Sequence, residues 1–351
     1  MNKGNLVSTK SRLNYIDSIR GISCIMVYLC HMLDTILGGH PNFLGKVGVC
    51  FLFALSGYCN MEVYHDYKWT WKKLLYFYVK KICAIYPCLL IALGLAYYSE
   101  FCTWGDMVDI LTMHRGIGHF WSMSVIIAFY LIFPLLSVLI QKIKGIPSIV
   151  ILWIGLAVWT AKFEWMEFNK GEGFIWIFVP ECIAGILVYL HKELYIKRGW
   201  EKPDYRDVIS IVPVVTFAFG GFVIYSLGMW MPIDAEVIKY VVGTLVCSIC
   251  LYYVVTRNHV KTCLDGKWFG WLHYLGRISY QFYLVHYVIL IWLNKYTLKN
   301  SFDRAIFSEI VVSIGLSIII SELMYTLVQQ PLNRLVRMCA SKLQTATEVY
   351  K

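Results

Sequence analysis

Charged residues are scarce in this 351-residue sequence. Asp, Glu, Lys and Arg together make up 15% of it, while 58% of the residues are hydrophobic. A soluble domain has about one quarter charged and about one half apolar residues. The composition therefore excludes an ordinary soluble domain, and the mean hydropathy of +0.59 agrees. We expect an all-α fold: a polytopic helical bundle that is integral to a membrane.

Several motifs are absent as well. The sequence has no P-loop, HExxH or GxSxG, which excludes the NTPase, zinc protease and serine hydrolase classes that those motifs mark. The N-terminal stretch has no apolar run before a cleavage site, so we expect no signal peptide and a first span that directs its own insertion. The 12 cysteines are scattered through apolar runs. They predict neither a disulfide framework nor a metal site.

Ten segments are apolar enough, over about 20 residues, to cross a membrane. Their approximate limits are 17–37, 44–62, 83–104, 120–141, 146–163, 175–191, 207–230, 237–256, 274–294 and 305–328. No linker divides them, so the prediction is one membrane domain over residues 1–351, with no extracytoplasmic soluble domain.

The net charge of +10 is distributed unevenly along the chain. If the spans alternate in direction, most of the 32 Lys and Arg residues lie on one side, together with both termini. Basic loops stay cytoplasmic, so both termini are predicted to be cytoplasmic. The charge then reports topology and gives no reason to expect a nucleic-acid partner. The basic, aromatic segment 67–81 is predicted to be an interfacial helix ahead of the third span.

The first span, DSIRGISCIMVYLCHMLD (17–34), carries two residues that are costly in a membrane. Arg20 and His31 are eleven residues apart, so they share a helix face about 16 Å apart along the axis. An arginine at the inner mouth can hold a phosphate, and a histidine deeper in the bilayer can accept a proton from a hydroxyl. Coenzyme A, with phosphates at one end and a reactive thioester at the other, fits this spacing. Asp34 is either an acid that orients His31 or an outer-boundary residue in water.

Six elements of the sequence resemble acyltransferase family 3, a family of membrane-embedded O-acyltransferases. They cover residues 12–337 in the family's order. They are the Arg-x10-His pair, VGVCFLFALSGY (47–58), YFYVKKICAIYP (76–87), HFWSMSVIIAFYLIFPLL (119–136), LGRISYQFYLVHY (275–287) and YTLVQQPLNR (325–334).

The resemblance implies an enzyme that transfers acyl groups, often acetyl from acetyl-CoA, to hydroxyls of sugars and other acceptors. It carries over Arg20 and His31 as the essential pair. It also assigns to the site a set of motif residues: Ser56, Gly57, Tyr58, His119, Trp121, Ser279, Tyr280 and His286. The sequence departs from the family pattern at Ala84, at residues 126–128 and at Gln329, where acidic or basic residues are common.

These observations predict an acyl-CoA-dependent O-acyltransferase in the cell membrane of a bacterium. His31 would be the general base, or would carry the acyl group as an intermediate. By the resemblance, the acceptor would be a surface polysaccharide, a lipid-linked glycan or another hydroxylated compound. Polar residues including Ser56, Tyr58, His119 and Ser279 would shape the pocket and stabilise the oxyanion. The expected funnel for the CoA phosphates is a set of basic residues: Arg20, Lys72, Lys73, Lys80, Lys81 and Arg277. No metal is expected.

A second hypothesis is a transporter of a solute or a lipid-linked sugar. Buried acids favour it: Glu181 and Glu322 fall inside predicted spans and could form a proton relay with His31. We expect Glu181 to face a cavity under either hypothesis. His286 is expected to be a structural hydrogen-bonding residue more often than a second base. The arginine-histidine span has no counterpart in the second half of the chain, which disfavours the inverted repeats of a transporter.

Overall fold

The computed structural model describes residues 13–349, apart from 38–41, 115, 144, 153, 155–178, 198–234 and 298–301. Every regular element in these residues is helical, which confirms the all-α prediction. The principal helices are α1 Asn14–Leu37, α2 Asn42–Tyr64, α3 Trp71–Tyr98, α4 Trp104–Leu111, α5 Trp121–Ile143, α6 Val179–Lys197, α7 Ala235–Thr256, α8 Asn258–Leu264, α9 Gly270–Arg277, α10 Ser279–Thr297, α11 Phe302–Met324 and α12 Gln330–Val349.

Three short turns complete the described part of the chain. The 3₁₀ turn Gly118–Phe120 leads directly into α5, and a second one, Lys267–Phe269, leads into α9. A π-helical turn, Tyr325–Gln329, joins α11 to α12. Residues 145–152 are also helical.

Five stretches of the described residues are long and apolar enough to cross a membrane. They are Asn14–Thr35, Leu44–Tyr64, Trp71–Tyr98, Gly118–Ile143 and Ser308–Cys339. Most predicted spans coincide with a helix, but the total of ten stays a prediction. The seventh span, 207–230, lies outside the described residues, as do parts of the fifth and sixth.

Two predicted boundaries are wrong. The segment 67–81 is not a separate interfacial helix, because α3 runs without a break from Trp71 to Tyr98. Thr70 caps it by accepting from the backbone N–H of Lys73. The predicted ninth span, 274–294, is not one continuous helix, because the backbone at Ile278 leaves helical geometry and separates α9 from α10, which begins at Ser279.

Helix α1 lies at the centre of the described bundle, in contact with α2, α9 and α10. Glycines permit the closest approaches. A Cβ at Gly276 of α9 would lie 1.9 Å from the carbonyl oxygen of Asp17, and a Cβ at Gly57 of α2 would lie 1.8 Å from that of Cys182. Only a hydrogen fits at these points, since neither backbone can yield. Helix α2 thereby packs on α6 with Gly185 facing Ala54 from the other side.

An ion pair links α10 to the turn that follows α3, on the side predicted to be outside. Lys295 donates a hydrogen bond to the carboxylate of Glu100. This bond lowers the pKa of Glu100, and the lysine charge adds to the effect. Both side chains reach solvent, so the pair contributes little to stability.

The glycine contact between α2 and α6 makes a stability prediction. The variant Gly57→Ala should lower the free energy of unfolding by about 2 kcal/mol, because overpacking forces the helices apart. Gly94 is the matched control: it lies inside α3 with nothing within 4 Å of a built Cβ, so Gly94→Ala should be neutral or slightly stabilising. Thermal unfolding of purified protein in detergent measures both, and equal midpoints would contradict the packing argument.

Candidate active site

Arg20 is held in place by its own helix and by α2. Its Nη1 donates to Oδ1 of Asp17 at 3.0 Å, and its Nη2 donates to Sγ of Cys59 at 3.4 Å. The Asp17 side chain is 3% exposed, whereas that of Arg20 is 30% exposed. The arginine is therefore fixed by a buried carboxylate while part of its guanidinium stays accessible.

A cavity of about 330 Å³ opens beside Arg20, with walls from α1, α2, α3, α5, α9, α10, the α11–α12 turn and the start of α12. Three cations line it: Arg20, Lys81 and Arg277. Lys81 donates to Oδ1 of Asn60 at 2.7 Å and lies 3.9 Å from the ring centroid of Tyr130. Arg277 pairs with Glu322 across 3.7 Å. The concentration of positive charge predicts an anionic ligand.

The other predicted basic residues lie outside this cavity. Lys72 and Lys73 are at the start of α3, where they face the rings of Trp71 and Tyr67. Lys80 is exposed and donates to the Tyr64 hydroxyl at 3.5 Å. The structure therefore divides the six predicted residues of the phosphate funnel into the three cations of the cavity wall and three lysines away from it.

The cavity extends along α5 from Tyr130 to Ser122, which is about 12 Å of helix. At its far end Ser122 and Tyr283 both donate to the backbone carbonyl of His119, at 3.1 Å and 2.9 Å. The polar residues Ser56, Ser279, Tyr280 and Gln281 line the walls between the two ends. The cavity thus leads from the three cations to Ser122 and Tyr283, whose hydroxyls bind the backbone of His119.

Three histidines meet beyond that end. The ring centroid of His31 lies 5.4 Å from that of His286 and 6.4 Å from that of His119, while His119 and His286 are 5.4 Å apart. Tyr287 stacks against His31 with a centroid separation of 4.3 Å. The sequence predicts His31, His119 and His286 for the site separately, and the fold brings them together from α1, the turn before α5, and α10.

Backbone carbonyls fix the tautomers of two of these histidines. Nε2 of His119 is 2.9 Å from the carbonyl oxygen of Leu284, and Nδ1 of His286 is 2.9 Å from that of Tyr283. A carbonyl only accepts, so each of these nitrogens carries the hydrogen and the other nitrogen of the neutral ring keeps a lone pair. The lone-pair atoms, Nδ1 of His119 and Nε2 of His286, are buried and have no hydrogen-bond partner among the residues that the structure describes.

Some predicted site residues lie elsewhere. The Tyr58 hydroxyl accepts from Lys192 at 2.9 Å on the α6 side of α2. Glu181 is buried between α2 and α6, where it accepts from the Cys50 thiol at 3.0 Å. Trp121 reaches the cavity indirectly, through the ring of Phe53. Asp34 lies one turn beyond His31 on α1, and its orienting role stays a prediction.

The π-helical turn brings Tyr325, Gln329 and, just beyond it, Asn333 to the cavity wall. Pro87 lies inside α3 and has no N–H, so the carbonyl of Cys83, four residues earlier, loses its helical partner. Gln329 fills that place by donating from Nε2 to the Cys83 carbonyl at 3.3 Å. A carboxylate could not make this bond, which gives a physical reason for glutamine at this position.

Sequence reasoning missed Tyr130, Gln281, Tyr283 and Asn333, which all line the cavity. A signal was present for Tyr283, because it lies four residues after Ser279 and three before His286 on one face of α10. Within the described part of the chain, no group of three or more His, Cys, Asp or Glu residues is arranged to hold a metal ion.

Comparison with known proteins identifies the family. A family model described as an acyltransferase domain matches residues 13–326, which is most of the chain. The protein therefore belongs to acyltransferase family 3, as the sequence motifs indicate.

The relatives give a more specific comparison. The chain is 20% identical over 356 residues to the O-acetyltransferase OatA of Staphylococcus aureus strain NCTC 8325 / PS 47, and equally to that of strain COL. The match covers 91% of this chain but 57% of the relative, so the chain spans little more than half the length of these proteins. No solved structure matches.

The ion pair of Arg20 makes a second stability prediction. Asp17→Ala should destabilise the fold by about 2 kcal/mol, because it leaves the guanidinium beside an apolar wall without its acceptor. The double variant Asp17→Ala/Arg20→Ala should be less destabilised than the two single effects added, since the residues interact directly. Asp66→Ala is the control, because Asp66 pairs with His65 at an exposed position. Additive effects in thermal unfolding would contradict a structural role for the pair.

Proposed function

We propose that this protein is a membrane O-acyltransferase that moves an acyl group, most simply acetyl, from cytoplasmic acyl-CoA to an acceptor hydroxyl at the outer side of the membrane. The observation that carries the proposal is the path along the cavity, from the three cations to Ser122 and Tyr283, which adjoin the histidine cluster. One end of this path suits a polyanion, and the other end suits proton transfer. Membership of the acyltransferase family supports the reaction class.

Arg20, Lys81 and Arg277 would bind the phosphates of acyl-CoA at the cytoplasmic end of the cavity. Arginine can hold a phosphate with two parallel hydrogen bonds, while lysine acts as a point charge. The cavity volume of about 330 Å³ is in the range of ligand pockets. The narrow acyl-carrying arm would follow α5 toward Ser122 and Tyr283.

His31 would be the general base for the acceptor. Its free ring nitrogen accepts the hydroxyl proton while the oxygen attacks the acyl carbon, which forms the new ester bond and breaks the thioester bond. His31 then gives the same proton to the departing thiolate. The reaction is balanced in protons, so it needs no exit route for them.

The tautomers restrict what the neighbouring residues can do. Nδ1 of His119 bears a lone pair, so it would accept from an acceptor hydroxyl and would not donate to an oxyanion. The hydroxyl of Ser56 already donates to the Leu52 carbonyl at 3.0 Å. Ser279 lines the cavity, and its part in stabilising the oxyanion stays a proposal.

The acceptor would be a glycan, either a surface polysaccharide or a lipid-linked unit, reached from the outer leaflet of a bacterial cell membrane. The name of the staphylococcal relatives, O-acetyltransferase, supports acetyl as the group transferred. Two cytoplasmic termini and multiple spans fit this vectorial arrangement. The transporter hypothesis has less support, because Glu181 and Glu322 are engaged by Cys50 and Arg277 and do not adjoin His31.

Variants at the two ends of the path should affect different steps, acetyl-CoA binding at one end and acyl transfer at the other. Purified protein in nanodiscs is titrated with acetyl-CoA, and thiol release is followed with a sugar acceptor present. Arg20→Ala should weaken acetyl-CoA binding at least tenfold, while His31→Ala should bind normally and lose at least 100-fold in transfer rate. Wild-type protein without affinity for any acyl-CoA would overturn the donor assignment.

The cavity cation Lys81 tests the position of the donor. Lys81→Gln should raise the KM for acetyl-CoA about tenfold, because it removes one charge from the cavity wall. Lys142→Gln removes the same charge from an exposed position at the end of α5 and should leave KM unchanged. An equal rise in both variants would mean that bulk electrostatics, and not this cavity, attracts the donor.

A further inference from the structure

His119 and His286, the two histidines next to His31, cannot form a hydrogen bond with each other. In the tautomers fixed by Leu284 and Tyr283, each offers a buried lone pair, and two lone pairs do not bond. His119 and His286 are both 1% exposed, so water does not readily satisfy them. A buried acceptor without a donor costs about 1–3 kcal/mol, which calls for a partner that brings a hydrogen.

The N–H groups of His119 and His286 are engaged by backbone carbonyls, so His31 is the ring of this cluster that can donate its N–H to another histidine. A hydrogen bond of about 3 Å between two imidazole nitrogens that meet edge to edge places the ring centroids about 5 Å apart. The observed separation of His31 and His286 is 5.4 Å, with the rings tilted by 43°. His119 is a full ångström further from His31, at 6.4 Å.

We propose that His286 is a positioning residue: its Nε2 accepts the N–H of His31 and fixes which nitrogen of His31 faces the acceptor hydroxyl. This inference rests on the proposed function of His31 as general base. It assigns to a neutral imidazole the part that a carboxylate plays in many catalytic triads. The bond requires His31 to move toward Nε2 of His286, which has no partner among the described residues.

The surrounding contacts hold His286 ready for this role. Its Nδ1 lies within 3.0 Å of the carbonyls of both Phe282 and Tyr283, and its ring stacks on Phe282 at an interplanar angle of 3°. Tyr28 packs against the same ring with its own hydroxyl bound to Ser313 at 2.6 Å. Turning the ring would therefore break the hydrogen bonds at Nδ1 and disrupt the packing against Phe282 and Tyr28.

The test compares two substitutions of His286. Glutamine places an oxygen acceptor near the position of Nε2, whereas leucine is of similar size and has no lone pair. In acetyl-CoA-dependent transfer to a sugar acceptor, His286→Leu should lower kcat about 100-fold with both KM values within threefold of wild type. His286→Gln should stay within tenfold of wild type. His114→Gln, at an exposed position, is the control for the substitution itself.

A spectroscopic measurement separates positioning from folding. Nitrogen-15 spectra of histidine-labelled protein in nanodiscs, assigned by loss of signals in His31→Ala, should show one tautomer of His31 in wild type and a mixture in His286→Leu. Wild-type kcat in His286→Leu, or a loss that glutamine does not restore while the His31 tautomer is unchanged, would overturn the proposal. If His31→Ala itself retains full activity, the proposed function fails, and that outcome is distinct from the failure of this inference.

Discussion

The close contact between α1 and α9 is the constraint on which the site depends. Because Gly276 has no side chain, the backbone of α9 can press against the carbonyl of Asp17. Asp17 also holds Arg20, and the residue after Gly276 is Arg277. One backbone contact therefore sets the position of two of the three cations that share the cavity. Lys81 enters from α3, where Asn60 and the Tyr130 ring hold its ammonium group.

The bilayer imposes a second constraint, since backbone and side-chain polar groups need partners inside the protein. The structure meets it largely with side chains that donate to carbonyls: Ser122 and Tyr283 to His119, Tyr280 to Ile85, and Gln329 to Cys83. The two lone pairs of His119 and His286 are exceptions, and they lie beside His31. Other buried acceptor atoms among the described residues also lack a donor, but those of His119 and His286 lie next to a third imidazole, which makes the histidine cluster a candidate for chemistry.

The sequence predicts the helical class, the family and the pair on α1 because each depends on local composition or spacing. Residues two apart on a helix face different ways, so Ser56 and Tyr58 could not both be expected to line one cavity. The sequence could not show which of the two does so. Ser56 lines the cavity, and Tyr58 meets Lys192 on the other side of α2. Glu181 illustrates the same limit, because its partner Cys50 is 131 residues away. Long-range pairing of this kind leaves no periodic trace in the sequence.

The hydrogen bond from Gln329 to the carbonyl opposite Pro87 has a mechanical consequence. It joins the π-helical turn to the middle of α3, so α12 and α3 form one wall of the cavity. Separation of α12 from α3 would leave the Cys83 carbonyl without a donor inside the membrane, at a cost of several kcal/mol. Because Pro87 frees the Cys83 carbonyl for Gln329, the cavity cannot open between α3 and α12 without loss of this hydrogen bond.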